Sequence, residues 1–108
     1  MLVVVVNMQT LKLADEFFPS LTNGNKRVTI RAGKRDIEIG PLLFKGDTDT
    51  TIQQQVEVER IAYTKCKYLT DDDAWMDDAD SVPALLRTLS RFYPGMGHED
   101  LVTIIYFS

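Results

Sequence analysis

This chain of 108 residues contains one cysteine, one histidine and one tryptophan, and each scarcity removes a class of chemistry. Cys66 has no second thiol to pair with, so an intrachain disulfide is excluded and a reducing, cytoplasmic setting fits. His98 is the lone histidine, so a four-ligand Cys/His zinc site cannot be assembled and no metal is expected. The Gly46 region lacks the Gly-Lys-Ser/Thr ending of a phosphate-cradling loop, and nothing else in the sequence asks for a cofactor. Long apolar runs are missing as well. Leu2-Val3-Val4-Val5-Val6 is too short to cross a membrane, and neither a basic flank nor a small-residue cleavage site surrounds it. It reads as a buried first strand. Without repeats, low-complexity tracts or a dividing linker, residues 1–108 read as one domain.

What is present suits a single packed core. Hydrophobic residues make up 44% and charged residues 26%, the balance of an ordinary globular domain. The net charge of −4 is unevenly spread. Residues 1–68 hold ten Lys/Arg against eight Asp/Glu, whereas residues 69–108 hold two against eight. Lys26, Arg27, Arg31, Lys34 and Arg35 follow one another with no acid until Asp36. Such a cluster either attracts phosphate or is the solvated end of a strand.

Hydrophobic spacing supplies the elements. Leu11, Ala14, Phe18 and Leu21, widened by Phe17, predict a helix that ends near Phe18 because Pro19 breaks it. Val28 and Ile30 alternate with Arg27, Thr29 and Arg31, predicting a strand over 27–31 with its polar set facing outward. Lys26 and Thr29 are an odd three positions apart, so the amine approaches the hydroxyl only from a loop or bulge before that strand. Gly24, between Asn23 and Asn25, supplies the backbone freedom there. Gly40-Pro41 turns into a short buried strand at Leu42–Phe44, and residues 45–51 have loop composition. A long strand over 52–63 switches parity near Arg60, which predicts a bulge and a bent sheet.

Thr70 should cap a helix whose first turn carries Asp71, Asp72 and Asp73, placed there for the helix dipole. From Ser81 a second helix presents Val82, Leu85, Leu86, Leu89 and Phe92 on one face, tolerates Pro83 in its first turn and stops at Tyr93-Pro94-Gly95. Leu101–Phe107 is apolar on both parities and reads as a fully buried strand. The order β-α-β-β-β-α-α-β gives an α+β fold with a strongly curved sheet.

Thus placed, Gly24 and Lys26 before Val28-Thr29-Ile30-Arg31, then Ile39-Gly40, Val56-Glu57-Val58, Leu69-Thr70 with Ala74, Phe92-Tyr93-Pro94-Gly95 and the closing Val102–Phe107 run form a pattern. It resembles the ASCH domains of the PUA-like superfamily over nearly the whole chain. More narrowly, it is similar to small bacterial N4-acetylcytidine amidohydrolases. The resemblance implies a PUA-like curved β-barrel with flanking helices and a catalytic lysine, threonine and acid. Lys26 and Thr29 match the first two. Asp77, followed by Asp78, stands where the family has a glutamate, one methylene longer in reach.

Amide hydrolysis by such a set needs a base for the hydroxyl proton, a positive site for the oxyanion and exclusion of water. A lysine in water is neutral about once in 2,500 molecules at pH 7. If the carboxylate touches Lys26, the lysine stays charged and serves the oxyanion while Asp77 or water handles the proton. For the substrate, Arg31, Arg27 and Tyr93 are the candidate contacts. Arg31 has a fork that holds a carbonyl, phosphate or base edge, or else forms a structural salt bridge. Tyr93 either stacks on a base or closes the helix end. Trp75 is a stacking platform or a core plug, and His98, in a glycine-rich loop, is given no specific role. The expected partner is a modified nucleoside, an acylated cytidine. The alternative is RNA, bound or cleaved by a module of the ASCH/PUA-like group.

Overall fold

The computed structural model describes residues 8–108, so the strand expected over Leu2–Val6 lies outside the described residues. Among the described residues, five strands form one curled sheet, a half-barrel in the order β1-β3-β4-β5-β2. They are β1 (Gln9–Leu13), β2 (Val28–Ala32), β3 (Gly40–Gly46), β4 (Gln53–Lys65) and β5 (Leu101–Phe107). β1 runs parallel to β3, and every other neighbouring pair is antiparallel. Opposite β5, the β4 register passes from Val58 to Arg60 and skips Glu59. That is the bulge the parity switch predicts, and it bends the longest strand around the core.

The helical reading of 11–18 needs correction. Leu11 and Leu13 belong to β1, where they alternate with exposed Thr10 and Lys12. A 3₁₀ turn (Asp15–Phe17) follows, and α1 (Phe18–Thr22) begins where the helix was expected to end. Pro19 sits in the first turn of α1. There its missing N–H costs nothing and its fixed φ suits the helix, so it starts the element instead of breaking it.

α2 (Asp71–Met76) carries the cap its sequence announces. Thr70 Oγ1 accepts from the Asp73 N–H at 3.2 Å, and Asp73 Oδ2 accepts from the Thr70 N–H at 2.9 Å. In α3 (Val82–Phe92), Ser81 Oγ accepts from the Ala84 N–H at 3.2 Å. Both helices pack on one side of β2 and β5. Val28, Ile30, Val102 and Ile104 meet Ala74, Leu85 and Leu89 in one core. On the other side, Leu13, Phe18, Leu42, Phe44, Val58, Ile105 and Phe107 form a second core inside the curl. β5 therefore contributes apolar side chains to both cores, as its uninterrupted pattern requires.

Candidate active site

Lys26 precedes β2, as its odd spacing from Thr29 demands, and is fixed from both sides. Its N–H donates to the Ser20 carbonyl at 3.0 Å, and the next N–H, of Arg27, donates to Met76 at 2.7 Å. An isolated antiparallel bridge pairs Lys26 with Asp77, which caps the C-terminus of α2. Beyond it, Asp78 adopts φ +60, a left-handed conformation that aspartate tolerates better than most residues. Asp78 is also held by the Ser20 hydroxyl, which donates to its Oδ2 at 2.7 Å. Backbone pairing thus sets Lys26 and Asp77 side by side, and the ammonium donates to Asp77 Oδ1.

This pair lies in the wall of a cavity of about 470 Å³ bounded by β2, α1, the 77–80 segment and α3. Thr29, Arg31 and Tyr93 line the same cavity. Lys26 is 5% exposed and Thr29 3%, so the polar face of β2 is covered, not outward as alternation alone suggests. Arg31 Nε donates to Thr29 Oγ1 at 3.0 Å, which leaves the threonine proton available to a base. One terminal nitrogen of Arg31 is buried and has no hydrogen-bond partner among the described residues. Burial pushes the Arg31 guanidinium below its ordinary value, against the opposing influence of Tyr93, and arginine nevertheless stays charged at neutral pH. Burial also pushes the Asp77 carboxyl above the usual carboxylate range, although Lys26 and then Arg31 pull it down.

Of the residues singled out from sequence, Lys26, Thr29, Asp77, Arg31 and Tyr93 converge here, and Arg27 does not. It stands outside the cavity with its guanidinium 4.7 Å from the Trp75 ring. Trp75 is 68% exposed, which rules out the core plug. The basic run disperses, because Lys34 lies 5.4 Å from the Tyr63 ring while Arg35 bonds the Ala32 carbonyl. Sequence reasoning missed Phe92 and the rim carboxylates Asp47 and Asp80, whereas Phe17, read as core, packs against the core and lines the cavity as well. Nothing in the local pattern separates those residues from ordinary core or loop positions.

Among the described residues, no His/Cys/Asp/Glu group suits a metal ion, and no helix is long and apolar enough to cross a membrane. No protein-family model and no curated protein matches the sequence. Solved structures do. An ASCH domain from Lactobacillus crispatus superimposes with a TM-score of 0.72 at 15% identity, covering 93% of this chain and 79% of that one. The chain carries the ASCH-domain fold. A variant of the ZmASCH protein from Zymomonas mobilis gives 0.67 at 13% identity, over 92% of this chain and 66% of that one. A DUF984 protein from Enterococcus faecalis gives 0.70 at 6%, over 97% and 77%. Identities this low leave the site of this ASCH-type fold to be argued from its own geometry.

Proposed function

We propose that the protein is an amidohydrolase that removes an acyl group from the exocyclic amine of a cytidine-type nucleoside such as N4-acetylcytidine. The observation that carries this reading is the convergence of Lys26, Thr29 and Asp77 on one cavity, with the ammonium and carboxylate in direct contact. Its volume lies within the range of small-molecule sites. The contact supports a division of roles. Lys26, in direct contact with a carboxylate, supplies positive charge that stabilises the oxyanion. Asp77, its carboxyl raised by burial, is the better proton acceptor.

In the reaction, Thr29 Oγ adds to the carbonyl carbon while its proton passes to Asp77. The oxyanion that forms is stabilised by Lys26 and Arg31. Collapse breaks the C–N bond, and Asp77 returns the proton to the departing amine. Water, deprotonated by Asp77, then adds to the acyl carbon; as the C–O bond to Thr29 breaks, Asp77 returns that proton to Thr29 Oγ, and the carboxylic acid leaves and gives its own proton to solvent.

Incubation with N4-acetylcytidine should give cytidine and acetate, followed by the change in ultraviolet absorbance. The rate should fall on acidification through an apparent pKa above the ordinary aspartate value of about 3.9, because protonated Asp77 cannot accept the proton. Asp77→Asn should cost about 10²-fold or more and abolish that acid limb. A wild-type protein without turnover overturns the proposal, as does an acid limb that survives in Asp77→Asn.

One observation favours RNA as a second reading. Trp75 is 68% exposed and carries Arg27 at 4.7 Å, the pairing of base platform and phosphate cation used for single strands. This reading expects a short RNA to quench Trp75 in a salt-dependent way, and to do so less with Arg27→Ala. Unquenched fluorescence in low salt removes it.

A further inference from the structure

The Lys26 ammonium has a second neighbour that the chemistry above leaves unused. Its Nζ stands over the Phe17 ring, 5.3 Å from the centroid. Phe17 closes the 3₁₀ turn after β1, and its ring rests against Phe92, the last residue of α3, at 5.7 Å and 58°. Both rings line the cavity. Alongside them Glu16 and Arg91 form an ion pair, so the turn and the helix end are tied by two contacts.

Asp77 Oδ1 fixes one direction of approach to the ammonium, and among the described residues no second side-chain hydrogen bond fixes another. A ring face supplies what is missing. A cation within about 6 Å of an aromatic face is drawn to its quadrupole, most strongly where water is excluded. Lys26 is 5% exposed, so that condition holds. An aliphatic side chain of similar size would fill the same space without attracting charge.

We propose that Phe17 is a positioning residue: its ring face, buttressed by Phe92, holds the Lys26 ammonium in place beside Asp77. Its catalytic consequence rests on the amidohydrolase reading, whereas the positioning does not. Phe92 is 42% exposed, so it buttresses Phe17 from the mouth of the cavity and leaves the inner face to the lysine.

The experiment replaces the Phe17 ring by its pentafluoro analogue, which keeps its shape and reverses its quadrupole, beside Phe17→Tyr and Phe17→Leu. The first readout is the ¹H–¹⁵N resonance of the Lys26 ammonium, assigned by its loss in Lys26→Met. The second is turnover of N4-acetylcytidine. In wild type and Phe17→Tyr the ammonium should exchange slowly and show a ring-current shift. In the fluorinated protein and Phe17→Leu it should exchange faster or broaden, with kcat reduced about tenfold and KM nearly unchanged. The shape-matched ring keeps the test valid should Phe17→Leu fail to fold. An unchanged resonance and rate in the fluorinated protein overturn the proposal. Should wild type leave N4-acetylcytidine untouched, the amidohydrolase reading falls and the resonance alone decides Phe17.

Discussion

Lys26→Ala should cost about 3 kcal/mol of folding stability above neutral pH and almost nothing near about pH 4. The pair it breaks is buried, with side chains 5% and 10% exposed, so removing the ammonium strands a carboxylate in a dry wall. The sign of the pH dependence follows from the direction of the Asp77 shift. Its folded value is raised, first by burial, so the folded state holds the proton more tightly than the unfolded chain does. Such a group contributes stability below its unfolded pKa, and that contribution is lost as pH rises through the raised folded value. Lys26 pulls the Asp77 value down, so its removal raises it further and widens the window of loss. Urea unfolding of wild type and Lys26→Ala across this range should therefore give curves that separate as pH increases. The double change Lys26→Met with Asp77→Leu should recover most of the loss, because a well-packed apolar pair carries no desolvation cost. A deficit independent of pH would mean that the lysine stabilises through its stem alone.

The same pair shows where sequence reading succeeds and where it stops. The parity switch at Arg60, the Thr70 cap and the double-sided burial of Val102–Ile105 are local patterns, and the structure reproduces them, although Leu101 at the start of that strand is 40% exposed and Tyr106 only half-buried. Residues 11–18 are ambiguous because Leu11, Phe18 and Leu21 fit a 3.6-residue period while Leu11 and Leu13 also fit a period of two. Pairing of β1 with β3, which no local pattern reveals, decides for the strand. Pro19 marks a helix start as readily as a helix end, and only the chain before it tells which. Alternation correctly separates Thr29 and Arg31 from Val28 and Ile30. It cannot tell that Thr29 and Arg31 face a cavity closed in part by the 77–80 segment and α3, from distant parts of the chain. Lys26 and Asp77 are 51 residues apart in sequence and meet through a backbone bridge. The resemblance names the two residues together. Their contact, on which the proposed charge-stabilising role of the lysine rests, is legible only in three dimensions.

Thr29→Ala should lower kcat for N4-acetylcytidine by about 10³-fold or more, and Thr29→Ser should stay within about tenfold of wild type. The hydroxyl has two separable duties. As the proposed nucleophile it forms the bond to the acyl carbon, which serine reproduces and alanine cannot. As acceptor it takes the Arg31 Nε–H at 3.0 Å. Arg31 already buries one nitrogen with no partner among the described residues, so alanine leaves a second donor unsatisfied. That loss costs about 1–3 kcal/mol of stability, measurable as a lowered Tm in Thr29→Ala and spared in Thr29→Ser. Kinetics and stability then separate the roles. A folded Thr29→Ala protein that retains most of its kcat would remove the acyl-threonine step and leave Asp77 activating water for direct attack. An inactive Thr29→Ala beside an active Thr29→Ser, with Lys26→Ala inactive where it is still folded, is the pattern a nucleophilic threonine requires. Arg31→Lys adds the remaining discrimination. Lysine keeps the charge and loses the planar fork, so the bond to Thr29 Oγ1 and the unpaired nitrogen cannot both be reproduced. If Arg31 holds the oxyanion through that free nitrogen, kcat falls in Arg31→Lys while Tm changes less than in Thr29→Ala.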